Sequence, residues 1–168
     1  MKYILLTLLL PLFASAQTVH IKDDKIDYEE TVAVKSGSKS ALYNSAKAAL
    51  MHSINSDGKA IITDAKKNDK IAACGSIKLS PDGVTVNKLL FTIEMKIKKD
   101  GYKYHIHKVH VVQYKSGVKI SDISSEDLLE GMDSSGDTAA KTEKQLNEID
   151  MDFQKIIALI KADMNGSK

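Results

Sequence analysis

The sequence has little of several residue types that small proteins use for stability and recognition. Cysteine occurs once, at Cys74, which excludes an internal disulfide and a cysteine-based zinc cluster. Tryptophan is absent and aromatic residues make up 5% of the chain, which disfavours an aromatic platform for sugars. Basic and acidic residues are nearly balanced, 24 against 22, so no strong field of one sign favours nucleic acid or an anionic membrane. Stability must therefore come from one packed core.

Catalytic motifs are missing as well. The chain has no GxSxG, no HExxH and no phosphate-binding loop. Carboxylates that could act as a pair, such as Glu29 and Glu30, are adjacent in sequence and therefore point to opposite faces of a strand. We predict neither catalytic residues nor a cofactor, and we interpret the chain as a protein that is not an enzyme.

Residues 1–16 have the pattern of a secretory signal peptide. A basic start at Lys2 precedes an apolar run that ends near Phe13, and small residues follow. The run is shorter than the roughly 20 residues that span a bilayer. Gln17 stands where a lipoprotein would need cysteine, which disfavours lipid anchoring. We predict cleavage after Ala16 and a mature chain that lies in the periplasm or outside the cell, without a membrane span.

A long hairpin is predicted over residues 89–114. Four apolar residues alternate with polar ones on its first strand: Phe91, Ile93, Met95 and Ile97. Asp100-Gly101 supplies a two-residue turn, because these residues tolerate positive φ. This turn would place Ile97 opposite Tyr104. Farther out, one extra residue in a bulge near His107 is needed to keep apolar residues facing each other, which pairs Ile93 with Val109 and Phe91 with Val111.

The remaining pattern predicts an α+β domain with one curved antiparallel sheet in the order β-α-β-β-β-β-α and two helices packed on one face. The predicted segments are a disordered N-terminus at 17–24, the sheet and first helix at 25–115, a linker at 116–137 and a C-terminal helix at 138–164. Within the linker, residues 125–129 indicate a capped helical turn. Two residues depart from the strand pattern. Glu30 is a carboxylate on an inward position, and Gly75 predicts a bulge or a close approach of the covering helix.

Polar side chains on the open face of the sheet are the candidate functional residues. The predicted register brings together Lys98 with Lys103, Lys96 with His105, and Glu94 with His107. We interpret the chain as an exported binding or structural module. Three lysines of the open face form its contact surface for an unknown envelope protein or small ligand: Lys96, Lys98 and Lys103.

A metal site is the alternative. His105 and His107 are two residues apart on one strand, so both imidazoles face the same way and could ligate zinc or copper. Glu94 would then be a third ligand or a hydrogen-bond partner of a ligating histidine.

Four segments carry a family resemblance: KIDYEETVAV, SKSALYNSAK, DKIAACGSI and FTIEMKIKKDGYKYHI. They resemble a family of exported bacterial proteins of unknown function whose domain has a TATA-binding-protein-like (TBP-like) fold, domain of unknown function 4468. The resemblance implies the β-α-β(4)-α arrangement and assigns residues 25–115 to the TBP-like sheet and first helix. It implies no activity, substrate or site residues. It does not imply DNA binding either, because the DNA-binding relatives of this fold use two repeats, wedge aromatics and basic contacts.

Overall fold

The computed structural model describes residues 19–34, 38–54, 61–65, 69–81 and 84–166. The predicted signal peptide and its cleavage site lie outside these residues. The elements follow in the order β1 (Ile21–Lys22), β2 (Lys25–Ile26), β3 (Tyr28–Ala33), α1 (Lys39–Ile54), β4 (Ile61–Ala65), β5 (Lys70–Lys78), β6 (Thr85–Lys98), β7 (Gly101–Lys115), β8 (Val118–Ser124), α2 (Ser125–Glu130), a 3-10 turn (Gly131–Asp133) and α3 (Asp137–Met164).

Strand β7 is the organising strand of a six-stranded antiparallel sheet. The strand order is β3-β7-β6-β5-β4, and β8 also pairs with β7. Strands β3 and β8 share one edge of β7, because β3 pairs with residues 101–106 and β8 with residues 110–115. Helices α1 and α3 pack against each other, and both contact the same face of the sheet, which we call the inner face. The predicted α+β class is confirmed.

The predicted register of the central hairpin is wrong by two residues. The structure pairs Ile97 with Tyr102 and Lys98 with Gly101, so the turn is Lys99-Asp100. Gly101 belongs to the strand because neighbouring β3 runs against it, and a Cβ on Gly101 would collide with the Val32 carbonyl oxygen. A shift of two residues preserves the side-chain alternation. The predicted apolar residues of β6 therefore still lie on the inner face.

The predicted bulge near His107 is confirmed. Leu90 pairs with His110 and Thr92 with His107, so two residues of β7 oppose Phe91. Lys108 is one of these two and has a φ of 54°. The extra residue keeps apolar residues facing each other farther along the hairpin. Val111 lies opposite Leu89 there, and not opposite Phe91 as we predicted.

Two predicted irregular segments form regular structure instead. The predicted linker at 116–137 contains β8, because β7 extends beyond the end of β3 and offers a free edge to the returning chain. The capped helical turn that we predicted within this linker is confirmed as α2, which begins with a capping box of Ser124 and Asp127. The predicted disordered N-terminus at 17–24 contains β1 and the turn of the short β1–β2 hairpin. Asp23 and Asp24 both have positive φ, which suits a two-residue turn with the twist of a hairpin.

Helix α3 covers the inner face with an apolar stripe. Its central aromatic residue, Phe153, is fully buried and meets the rings of Tyr28 and Phe91 edge-on at centroid distances of 5.2 and 5.1 Å. Edge-to-face pairs of this kind add about 0.5–1.5 kcal/mol to the burial of the rings. The stripe is formed by apolar residues at helical spacing: Leu146, Ile149, Phe153, Ile156, Ile157, Ile160 and Met164.

Gly75 lies where α1 and the Phe91 ring approach strand β5 most closely. A Cβ at this position would lie 2.5 Å from Phe91 Cζ and 2.8 Å from Ile54 Cγ2. The predicted close approach of the covering helix is therefore confirmed.

The substitution Gly75→Ala should destabilise the protein by about 1–3 kcal/mol, because the methyl group overpacks a filled core. Urea unfolding measures this loss. The matched control is Ser76→Ala on the opposite face of the same strand, which should change the free energy of unfolding little. Equal stability of Gly75→Ala and the wild type would contradict the packing described here.

A buried hydrogen bond ties α3 to the edge of the sheet. Asp150 is 1% exposed on α3, and the Tyr28 hydroxyl donates to its Oδ1 atom at 2.6 Å. Gln154 adds a longer contact of 3.5 Å to the same oxygen. Burial and the nearby carboxylate raise the pKa of Tyr28 above its usual range, so the hydroxyl keeps its proton and remains the donor.

The substitution Tyr28→Phe should cost about 2–3 kcal/mol, because it leaves a buried carboxylate without its main donor. The double variant Tyr28→Phe/Asp150→Leu should recover most of that loss, since no unpaired polar group remains. Tyr114→Phe is the control. A double variant as unstable as Tyr28→Phe alone in urea unfolding would contradict this account.

Candidate functional site

The face of the sheet opposite the two long helices, which we call the open face, carries a row of three lysines. Lys70 lies directly opposite Lys96, and Lys96 lies directly opposite Lys103, across strands β5, β6 and β7. We call these three residues the lysine row. The predicted pairs of Lys96 with His105 and Lys98 with Lys103 are wrong, because the register differs by two residues. Lys98 instead lies toward the turn and donates to Thr31 Oγ1 at 3.4 Å.

The outer lysines of the row have acidic partners and the middle one does not. Lys70 Nζ lies 3.8 Å from Glu94 Oε2, and Lys103 forms an ion pair with Glu29. Lys96 has no acidic partner among the residues that the structure describes. Like charges directly opposite each other on neighbouring strands repel. The row therefore contains one ammonium group that no carboxylate of the described residues neutralises.

Two histidines lie beside the lysine row. The rings of His105 and His107 are stacked, with centroids 4.4 Å apart and planes 9° from parallel. His105 Nε2 lies 2.6 Å from Asp27 Oδ2, whereas His107 Nε2 lies 3.5 Å from Glu94 Oε1. The His107 nitrogen is buried without a well-formed hydrogen bond, and so is the second oxygen of Asp27. Glu94 pairs in register with His105 and not with His107, contrary to prediction.

The arrangement does not support the predicted metal site of His105, His107 and Glu94. Their ligand atoms do not converge on one point, because the two imidazole rings are stacked face to face and His105 Nε2 points toward Asp27. The ligand atoms that do lie within 4.8 Å of one another belong to Asp27, Glu29 and His105. Lysine ammonium groups contact both oxygens of Glu29, and a cation would have to displace them.

Three residues that contact the lysine row or the two histidines, or belong to the row, were not among the predicted site residues. Asp27 immediately precedes the edge strand β3, Glu29 is the second residue of that strand, and Lys70 begins β5. Alternation places them on polar positions, but only the pairing of β3 with β7 and of β5 with β6 brings them to the histidines and lysines. Glu30, the predicted misfit, lies at the edge of the sheet. It accepts hydrogen bonds there from Lys161 and from the hydroxyl of Tyr104.

The surroundings of His107 change its pKa. Burial is the main cause that lowers the pKa of His107 below its usual value of 6.5. The neighbouring His105 lowers it further, and Glu94 raises it. The unfolded chain therefore binds a proton at His107 at a higher pH than the folded chain does. Consequently, this residue makes stability fall as the pH drops below about 6.5.

The substitution His105→Gln should raise the pKa of His107, because it removes the electrostatic interaction with His105 that lowers this pKa. Glu94→Gln should lower the pKa further, and the distant His110→Gln should leave it unchanged. An NMR titration of the imidazole resonances measures all three values. A His107 pKa above 6.5 in the wild type would contradict the described environment.

The fold and the open face define a small α+β domain of the TBP-like class. The chain belongs to the family described as "Domain of unknown function (DUF4468) with TBP-like fold", whose model matches residues 28–112, half of the chain. A search among curated proteins finds no match to this chain. Within the described residues, no helix has both the length and the apolar character needed to cross a membrane.

Two solved structures share the fold. A TBP-like protein from Parabacteroides distasonis is 12% identical, with a TM-score of 0.70 over 89% of this chain and 99% of that one. A DUF4468 family protein from Bacteroides ovatus is 13% identical, with a TM-score of 0.64 over 92% of this chain and 93% of that one. At this level of identity the likeness establishes the fold alone.

Proposed function

We propose that this protein is an exported, non-enzymatic binding module whose open face holds an acidic group of an envelope protein or of a small ligand. Export is inferred from the signal-peptide pattern of residues 1–16, and the absence of a catalytic motif in the sequence supports a non-enzymatic role. The lysine row is the observation that carries the proposal.

The lysine row favours an anionic partner for an electrostatic reason. Cβ atoms of directly opposed residues on antiparallel strands are about 4.5–5.5 Å apart, so three ammonium groups share a small area. An acidic group placed over Lys96 would neutralise the one member without a partner. Lys70, Lys96 and Lys103 also line a depression of about 270 Å³ together with Glu94 and His105. The depression offers both a shape and a charge that a carboxylate can complement.

The substitution Lys96→Glu should stabilise the free protein by roughly 0.2–1 kcal/mol, because a favourable row of alternating charge replaces a repulsive one. Urea unfolding at low salt measures this gain, and high salt should reduce it. Lys155→Glu on α3 is the matched control. It removes a lysine that is paired with Asp152 at 2.9 Å and should not stabilise the protein.

The same variants test the binding role. The mature protein is used to capture its partner from an envelope extract, and the complex is cross-linked. We expect Lys96→Glu to reduce the amount of partner recovered by at least about tenfold, and Lys155→Glu to leave it unchanged. Lys96→Gln should give an intermediate loss, since it removes the positive charge without adding a negative one. Capture that is equal in all variants, or no specific capture at all, would refute the open face as the contact surface for an envelope protein.

A further inference from the structure

A second cavity lies on the inner face, between the far end of the sheet and the first half of α3. Its volume is about 240 Å³. This is below the roughly 300–1,000 Å³ of sites for drug-sized ligands, so an occupant would be a small molecule. We call it the amide cavity. Strands β6 and β7 and helix α3 contribute most of its polar lining: Asn87, Gln113, Lys141, Lys144, Gln145 and Glu148.

Two amides occupy positions where the sheet pattern calls for apolar side chains. Asn87 and Gln113 are directly opposite each other on β6 and β7. Asn87 is two residues from the fully buried Leu89, so alternation places it on the inner face. The side chain of Asn87 is almost entirely buried, with 6% of the residue exposed, and its Oδ1 atom has no hydrogen-bond partner. A buried amide oxygen without a donor is costly. Asn87 lines the cavity, so a turn of its side chain toward the cavity would let a bound molecule supply that donor.

Helix α3 contributes charge to the amide cavity. Lys141, Lys144 and Glu148 recur at helical spacing beside the apolar stripe, and all three line the cavity. Glu148 is held in place, because its Oε1 atom accepts hydrogen bonds from the backbone nitrogen and hydroxyl of Ser80 at 2.7 and 2.8 Å. Neither lysine has an acidic partner within the described part of the chain. The cavity thus combines two available ammonium groups with an amide oxygen that lacks a donor.

We propose that the amide cavity binds a small hydroxylated carboxylic acid of about the size of a sugar acid. Its carboxylate would pair with Lys141 and Lys144, and a hydroxyl would donate to Asn87. Gln113 would contact further hydroxyl groups, and Leu79 supplies an apolar wall. The site is separate from the open face, since the sheet lies between them. The proposal therefore does not depend on the function proposed for the lysine row.

Isothermal titration of the mature protein with three probes tests the proposal. D-glucuronate has both a carboxylate and hydroxyl groups, D-glucose has only hydroxyls, and acetate has only the carboxylate. We expect saturable binding of glucuronate at least about tenfold tighter than that of either partial probe. Lys144→Gln should weaken glucuronate binding at least tenfold, whereas the control Lys155→Gln on the same helix should not. No saturable glucuronate binding, equal affinity for glucose or acetate, or an unchanged affinity in Lys144→Gln would overturn the proposal.

The substitution Asn87→Leu separates a binding role from a structural one. We expect it to abolish glucuronate binding and to raise the melting temperature by about 2–4 °C, because it removes an unpaired buried amide from an otherwise apolar face. An amide retained for the fold would give the opposite result, a lower melting temperature. That outcome, or retained binding in Asn87→Leu, would also overturn the proposal.

Discussion

The packing of α3 across the inner face of the sheet is the constraint on which the rest of the structure depends. Phe153 lies between Tyr28 of the edge strand and Phe91 of the sheet interior. One residue of the helix therefore contacts two strands that are far apart in sequence. Because α3 and α1 bury this face, polar residues of the strands must lie on the open face or at the ends of the helix. Both candidate sites follow from this division.

Side-chain periodicity determines which face a residue occupies but not which residue it meets. The apolar residues of β6 are buried as predicted, since a strand must present alternate side chains to one face. The register was wrong by two residues, and alternation cannot detect such an error because it preserves every face. The deciding contact is the approach of Val32 to Gly101, which involves a strand about 70 residues away in sequence. Local turn preferences alone favoured the other pairing.

Contacts between distant segments account for the side-chain interactions that the sequence did not predict. Asp27 meets His105 and Tyr28 meets Asp150 across separations of 78 and 122 residues. In each case the local pattern shows only a polar residue in or beside an apolar segment. The choice between a solvated side chain, an ion pair and a site depends on what the fold brings opposite to it. Strand β8 was missed for the same reason, because it forms on an edge that β7 provides.

The two candidate sites differ in the kind of energetic cost that the fold tolerates. At the lysine row the cost is repulsion between side chains that are 38–51% exposed at its two ends, so water and salt reduce it and only a partner that covers the face can relieve it fully. At Asn87 the cost is lost hydration inside a cavity, which one well-placed hydroxyl can remove. Natural sequences depart from local rules mainly where function requires it. Exposed repulsion therefore suits a surface that docks against an acidic partner, whereas an unpaired buried amide suits a small cavity that binds a small molecule.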